Sequence, residues 1–548
     1  MSDAFIYNVS QQSTRGEEPF LKKEVVYVND QQQGSYVSQV QIDLSAISNS
    51  TRWQSWKEAI LEIPFVVTVE NLTPSVLTLS DRINAAFLAL KNGTCLVDYL
   101  TVTYNNVNVV QLTNYMSHII SFKLLAGMST NGEQTLGPAI YFAKDSATSY
   151  EFSGTGPSGV GFTNNRPTYG PTGTAMSTQS YHGATHNEGF KTRIMNVFDT
   201  KSTSNFYNNI VNASNLKLNG NSYLSEVSSN VFKYNILATI RLCDIDFFAK
   251  LPLIKQGFVS ITLGYNASVQ TLSFNQSLKA LSSTAPVITG HTNPLLVSSA
   301  DVFQPNEWMA GYTGNQQYRI SSNIGNTTDS SGNKISNDIL PSVRAVIPLY
   351  TMSADWEKNY IAEPIREVFY DDFYQYTISG ISSNGQINQI ITNGVANPRY
   401  LIIFPTASKD SNAGFTTTEP YNSPFDSAPG TTTPCSLVTG LNLLVSGSPL
   451  FAQNFDWTYE QFQFELKSIL SLNGAQPDEC LSGLISQQDF MFGHGYLAFD
   501  LSRVAQDGVA RSIQVIGKNN TQLKMDYICM LAFQKKIKVD IRNSQIVP

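Results

Sequence analysis

A chain of 548 residues exceeds what one hydrophobic core usually organises, so two domains, or three, are expected, and 42% hydrophobic content places them in the globular class. Charged residues make up only 14%, and the polar remainder is largely Asn, Ser, Thr, Gln and Gly, which suits a β-rich protein with long neutral loops and faces covered by neighbours. A formal net charge of −7 with no basic N-terminal arm excludes direct neutralisation of nucleic acid, no N-terminal run reads as a signal peptide, and no stretch approaches the ~20 apolar residues of a membrane span.

Residues 1–30 are polar and mixed in charge and read as an arm that orders against something else. From Tyr36 to Leu44, Val40, Ile42 and Leu44 alternate with Gln39, Gln41 and Asp43, the period of a half-buried strand. The segment TRWQSWKEA predicts one or two helical turns. Leu61, Ile63, Phe65, Val67 and Val69 then form one face of an amphipathic strand, in which Pro64 marks an edge or a bulge.

Leu100, Val102 and Tyr104 alternate with Thr101 and Thr103, and Asn105-Asn106 supplies the positive φ values of a tight hairpin turn. Val107, Val109 and Leu112 return. Thr113 is placed to cap a helix in which Tyr115, Met116, Ile119, Ile120, Phe122 and Lys123 follow at helical spacing, with Gly127 as its left-handed terminator. Residues 129–230 are dense in Gly, Ser, Thr and Asn and predict a projecting loop region. Regular pattern resumes at Phe232, with a short helix near Asp246–Leu251 and a strand carrying Val259, Ile261 and Leu263.

Between 265 and 340 strand-like pieces such as Asn293–Val297 alternate with polar segments, and NTTDSSGNKISND reads as a linker. From Val343 the early order restarts as strand, Trp356 segment, strand, followed by the buried run Tyr400–Phe404. A second hairpin comes next, with Leu441, Leu443 and Val445, the turn Ser446-Gly447-Ser448, and Leu450 and Phe451. Thr458 and Gln461 form a capping box for a helix with Phe462, Leu466 and Ile469 on one face, ended by Asn473-Gly474. The segment YLAFDLSRVAQDGVARSIQVIGKN echoes CDIDFFAKLPLIKQGFVSITLGYN, and the chain closes on alternating Met525, Tyr527, Cys529, Leu531 and Phe533. Elements recurring in one order predict two β domains of the same topology.

The five cysteines, Cys95, Cys243, Cys435, Cys480 and Cys529, form no CxxC pair and read as buried free thiols of a reducing compartment, so the Asn71 and Asn92 glycosylation patterns are chance matches. Gly154–Gly159 fits GxGxxG but follows no strand and opens no helix, so it reads as loop glycine. His182 and His186 lack the Glu of a zincin helix. Asp244 and Asp246 read as caps of the short helix, and Asp371 and Asp372, as strand neighbours, point to opposite faces. His118 and His494 are lone histidines in apolar surroundings, read as core or interface residues. The sequence nominates no catalytic residue, no cofactor and no metal site, and the expectation is a protein that is not an enzyme.

The stretches CDIDFFAKLPLIKQGFVSITLGYN, ADWEKNYIAEPIREVFYDDFYQYTI with GQINQIITNGVANPRYLIIFP, and GLISQQDF, YLAFDLSR, SIQVIGKNN and MDYICMLAFQKKIKVDI span most of residues 230–541. Together they resemble the double jelly-roll major capsid proteins of double-stranded DNA viruses, especially virophages and Polinton-like viruses. The resemblance implies an all-β fold of two tandem eight-stranded jelly rolls with short inserted helices and long loops. The division it suggests is an arm at 1–30, a first roll at 31–305 with the insertion at about 129–230, and a second roll at 306–548. It further implies a homotrimer forming a pseudo-hexameric capsomer of an icosahedral virion, with neighbouring capsomers, penton and minor capsid proteins as partners. No sequence-specific nucleic-acid binding is implied, and an underlying membrane or genome layer would be contacted weakly. Thr113–Gly127 and Thr458–Gly474 fit the family's inserted helix, and residues 129–230 its outward towers. The rival readings are a capsid protein of the single jelly-roll type, a β-sandwich receptor-binding or fibre protein, and a β-fold carbohydrate enzyme.

Overall fold

The computed structural model describes residues 19–73, 88–111, 114–145, 150–153, 161–164, 178–179, 188–193, 222–228, 230–275, 280–297, 316–408, 420–424, 437–469, 483–521 and 523–547. Sixteen strands carry the architecture. The first eight are β1 (Phe20–Asn29), β2 (Gln39–Asp43), β3 (Ile60–Asn71), β4 (Val97–Tyr104), β5 (Val107–Val110), β6 (Val231–Arg241), β7 (Val259–Tyr265) and β8 (Arg344–Met352). The second eight are β9 (Ile365–Ile381), β10 (Gln386–Ala396), β11 (Pro398–Ala407), β12 (Val438–Val445), β13 (Ser448–Pro449), β14 (Leu497–Asp500), β15 (Ala510–Asn519) and β16 (Met525–Asp540).

Every pairing among these strands is antiparallel. In the first set β1 pairs β8, β8 pairs β3 and β3 pairs β6, while the facing sheet runs β2-β7-β4-β5. The second set runs β9-β16-β11-β14 and β10-β15-β12-β13. Numbered within each set, the order is 1-8-3-6 against 2-7-4-5 both times, which is the jelly roll. The chain is all-β in its framework and contains two tandem rolls.

Alternation sets the faces. Val40 and Ile42 of β2, Leu100 and Val102 of β4, and Val259, Ile261 and Leu263 of β7 are all at most 1% exposed. The Asn105-Asn106 turn has φ of 45° and 65°, as predicted for a hairpin matching the right-handed strand twist. Its counterpart is Ser446-Gly447, at 50° and 82°. Pro64 lies inside β3, at neither an edge nor a bulge. Residues 60–62 of β3 pair with β8, and residues 65–71 pair with Gln316–Ile324. Pro64 sits in the gap between these two partners, where its missing N–H leaves no ladder bond unmade, and its carbonyl accepts from Gly325 N–H at 2.7 Å.

Strand pairing corrects several expectations. The arm expected at 1–30 contributes β1, which pairs along its whole length with β8, and residues 1–18 lie outside the described residues. Val343–Met352 therefore closes the first roll instead of opening the second, and the division falls after Met352, not between 305 and 306. The Trp segment is not helical: Trp53-Gln54 pairs with Tyr350 and Leu349, and Trp53 and Trp56 are buried. The expected linker is a hairpin, Asn326–Thr328 with Lys334–Ser336, whose Asn337 side chain donates to the Phe65 carbonyl at 2.8 Å. It belongs to an insertion between β7 and β8 that adds Ala267–Asn275 and Gln316–Ile324 beside β3.

Part of 129–230 is packed against the first roll. A helix at Thr130–Ile140 is capped by Ser129, Phe142 is 2% exposed, and Arg193 forms a buried ion pair with Asp145. The Gly-rich stretch at 154–160 and the region 194–221 lie outside the described residues.

Between the fifth and sixth strands each roll carries a helix, α1 (Met116–Gly127) in the first and α3 (Tyr459–Ser468) in the second, and α2 (Asp246–Lys250) lies between β6 and β7. Thr113, expected to cap α1, lies outside the described residues, and the residue before the helix is Tyr115 at φ 60°. Gly127 is the last helical residue and is followed by extended Met128, so it is not a left-handed terminator. Thr458 caps α3 by accepting from Gln461 N–H at 3.3 Å, and Asn473-Gly474 lies outside the described residues.

Leu100 and Leu466 are at most 1% exposed in different rolls. Truncation of either to Ala is expected to cost about 2–5 kcal/mol, read from urea unfolding. A change under ~1 kcal/mol would place that side chain outside the core.

Candidate assembly interface

Helix α1 is where the two rolls meet. Ten of its twelve residues are buried, and they lie on every side of the helix. A helix buried all round sits between two packed layers instead of on a surface. One layer is the first roll. The other is the second roll's β9-β16-β11-β14 sheet, which meets α1 on the face that carries Phe373, Tyr400 and Phe404. Phe373 of β9 and Tyr400 of β11 both oppose Ala532 of β16, so they share a row, and Phe404 follows Tyr400 on the same face. The Phe404 ring meets Phe122 at 5.8 Å and His118 at 5.6 Å, and the Lys123 ammonium lies 5.3 Å from the Phe373 ring centre.

Polar fastenings surround this contact. Leu484 N–H donates to the Leu125 carbonyl at 2.8 Å, and Gly483 before it has φ of 58°. A Cβ on Gly483 would collide with the carbonyl oxygens of Leu125 and Ala126. Lys144 donates to Asp489 at 2.9 Å and to the Leu484 carbonyl at 3.0 Å. Lys91 is fully buried and gives its ammonium to the carbonyls of Tyr421 at 3.2 Å and Ser423 at 2.8 Å. At the other end, Tyr370 Oη donates to the Val109 carbonyl of β5 at 2.8 Å, and Tyr360 Oη to Leu253 at 3.1 Å.

The acidic residues singled out by sequence gather at the same junction. Asp244 pairs with Arg241 at 2.6 Å. Asp246 accepts the Asp371 backbone N–H at 2.8 Å, joining α2 to β9. The first residue outside α2 is Ile245, with no side-chain cap, so the capping role expected for both aspartates is not observed. Asp371 and Asp372 diverge as alternation requires. Asp372 accepts from Gln111 N–H at 3.2 Å and pairs with Lys535, while Asp371 faces Arg399 at 4.0 Å. Burial, and then the charge of Asp246, raises the Asp371 carboxyl above the usual carboxylate range.

His118 and His494 are both buried at or beside the junction, as their apolar surroundings suggested. Burial lowers His118 to about 3, aided by Lys91 and His291. Burial lowers His494 to about 4; its Nδ1 lies 3.3 Å from the Asp489 carbonyl, and among the described residues its Nε2 has no hydrogen-bond partner. Burial also raises the thiols of Cys95 and Cys529, and Cys243 is partly buried. Cys435, Cys480, His182, His186 and Gly154–Gly159 lie outside the described residues. Among the described residues no group of three or more His, Cys, Asp and Glu is placed to hold a metal ion, and no helix is long and apolar enough to cross a membrane.

Lys91, Lys144, Tyr370 and Gly483 had not been singled out in the sequence. Only the Ser486-x-x-Asp489 spacing was readable, and it forms a reciprocal capping box whose carboxylate also takes Lys144.

No protein-family model matches the chain, and no curated protein matches it. Among solved structures it is similar to a chain of the Sputnik virophage, with a TM-score of 0.48 and 10% identity over 98% of this chain and 90% of that one. It is also similar to the mavirus major capsid protein, at 0.47 and 8% over 98% and 92% of the two chains. The Faustovirus major capsid protein matches at 0.42 and 9% over 96% and 92%. The assignment of two jelly rolls rests on this chain's own strand order.

The neutral histidines fix a pH dependence. The unfolded chain takes up protons at both below about pH 6.5, whereas the folded chain does so only near 3 for His118 and 4 for His494. Between these limits the unfolded state binds more protons, so stability falls as pH falls, by roughly 1.4 kcal/mol per pH unit per histidine. Thermal melts from pH 7 to 4.5 are expected to show this slope, and His118→Phe to reduce it; an equal slope in the variant would refute the assignment. Gly483→Ala is expected to lower the melting temperature by several degrees, whereas Gly332→Ala, at a glycine with nothing within 4 Å of its added Cβ, is expected to change it less.

Proposed function

We propose that this chain is a major capsid protein, a structural protein and not an enzyme, that builds an icosahedral shell around a double-stranded DNA genome. The observation that carries this reading is the doubling itself: one strand order occurs twice in a single chain, each time with a helix between the fifth and sixth strands. A closed roll has a use without a pocket, because its broad sheet faces can tile. Two rolls per chain let three copies present six similar units around one axis, so a threefold object fills a hexagonal place in a shell. The sequence resemblance to double jelly-roll capsid proteins points the same way.

On this reading the functional unit is a homotrimer with a pseudo-hexameric outline. Its partners are neighbouring capsomers and the penton and minor capsid proteins, and its location is the virion. With a net charge of −7 it makes no sequence-specific contact with nucleic acid and touches an underlying membrane or genome layer weakly. Two rolls in one chain weigh against a capsid protein of the single jelly-roll type. A receptor-binding fibre protein gains nothing from the doubling.

Light scattering at micromolar concentration is expected to return three times the 60.4 kDa chain mass, with hexagonal outlines in negative stain. A monomer would sink the proposal.

A further inference from the structure

An asparagine followed by glycine can react with its own backbone, because a glycine without Cβ lets its amide nitrogen approach the asparagine Cγ. The described residues contain four such pairs: Asn92-Gly93, Asn131-Gly132, Asn384-Gly385 and Asn393-Gly394. Asn219-Gly220 and Asn473-Gly474 lie outside them. Three of the four are held in place by the fold. Asn92 is fully buried, its Oδ1 accepts from Ala143 N–H at 3.3 Å, and Gly93 N–H donates to the Tyr141 carbonyl at 2.9 Å. Gly132, in the first turn of the Thr130–Ile140 helix, donates its N–H to Ser129 Oγ at 3.1 Å. Gly385 N–H donates to the Ser382 carbonyl at 2.8 Å, in a turn so tight that an added Cβ would lie 2.8 Å from the same oxygen.

Asn393-Gly394 is placed differently. It lies in β10, which ends its sheet and pairs with β15. Thr392 pairs with Ile513 and Val395 with Arg511, so Asn393 and Gly394 together stand against Ser512 alone. That is a bulge, in which the regular ladder is broken and the strand dihedrals are relaxed. Thr392 and Val395 are buried and anchor its two ends, while Asn393 and Gly394 are exposed. The Gly394 N–H donates to Thr392 Oγ1 at 3.3 Å, longer than an ordinary N–H···O bond, and a Cβ added to Gly394 meets nothing within 4 Å.

We infer that Asn393 is a site of spontaneous deamidation in the folded protein, with water as the co-reactant. The Gly394 amide nitrogen forms a bond to the Asn393 Cγ and gives up its proton, and the side-chain nitrogen leaves as ammonia. The product is a cyclic succinimide joining the two residues. Water then adds to either of its carbonyl carbons and breaks the ring C–N bond there. Attack at Cγ gives aspartate, and attack at the backbone carbonyl gives isoaspartate, whose main chain is longer by the side-chain methylene. The bulge has room for that extra atom, since β10 already carries one residue more than β15 at this point. Either product puts a carboxylate into Gln386–Ala396, a strand with no charged residue of its own. A charge on an edge strand opposes further pairing along that edge, so the conversion changes what β10 presents to a neighbour without changing the fold.

The test incubates the full folded chain in mildly alkaline buffer and follows the amide-to-acid mass gain at each asparagine by peptide mass spectrometry. Asn393 is expected to convert on the order of tenfold faster than Asn92, Asn131 and Asn384, because each of those must first open locally. In urea, where all four pairs are released from the fold, the rates are expected to converge. Gly394→Ala is expected to slow conversion at Asn393 by about tenfold while leaving the thermal melt unchanged, because the added methyl crowds the attacking nitrogen and touches nothing else. Equal rates at the four sites in the folded chain, or faster conversion at Asn384, would overturn the assignment. So would an Asn393 that stays intact when folded and converts only in urea, since the bulge would then protect it. Undiminished conversion in Gly394→Ala would overturn the Gly394 nitrogen as the attacking group.

Discussion

A helix with apolar side chains on all sides has no stable place on a surface, and the arrangement of this chain depends on that constraint. Between Met116 and Gly127 the only formally charged side chain is Lys123. Fully burying a large apolar side chain contributes about 1.5–3 kcal/mol, and Ile119, Ile120, Phe122 and Leu125 are each at most 1% exposed. An exposed ion pair contributes about 0–1 kcal/mol, so the part-buried Lys144–Asp489 bridge is secondary in strength to the helix it flanks. The second roll exists as the cover of α1 as much as it exists as a fold of its own.

Apolar contact alone is non-directional, and two sheet faces can slide over a greasy helix. The buried polar groups restrict this freedom. Lys91 is hydrogen-bonded where the carbonyls of Tyr421 and Ser423 converge, and Tyr370 where the Val109 carbonyl lies. Leaving such a group unpaired costs about 1–3 kcal/mol, more when it is charged, so each bond selects one register among many of similar apolar area. Gly483 acts by the same logic through space: only a residue without a Cβ lets the second chain segment approach the end of α1 closely enough for Leu484 to reach the Leu125 carbonyl.

Local periodicity made many of the framework strands readable, along with both hairpin turns and the helix after each, because these depend on residues two to four positions apart; β1, read as an arm, was not among them. Partner choice was not readable. Arg344–Met352 has the alternating look of an opening strand and stands before a Trp-bearing segment, so it imitates β2 and the Trp53–Trp56 stretch beyond β2. Its ladders to Phe20–Asn29 and to residues 60–62, hundreds of residues away, show that it closes the first roll. Two echoes, the hairpin with its helix and the pair β6–β7 with β14–β15, join topological equivalents; the earlier echoes joined unlike strands. At the junction His118 was legible because a lone histidine among Ile and Phe implies burial. Lys91, in Leu90-Lys91-Asn92, looked like an ordinary surface lysine, since nothing near it in sequence records the carbonyls it meets.

The same place in the fold carries different chemistry in the two rolls, and the difference tracks what covers it. Helix α1 holds one charged side chain and is sealed on both sides, while α3 holds Glu460, Glu465 and Lys467 and seals only one. Glu465 faces inward and is matched there by Arg503 and by the Asp500 N–H at 2.9 Å. Glu460, Phe464 and Lys467 are exposed and fall at i, i+4 and i+7, a single stripe away from the roll. The charges of Glu460 and Lys467 keep that stripe hydrated, where α1 is dry on both sides. The same place in the strand order thus carries an apolar helix where both sides are covered and a charged stripe where the outer side is exposed.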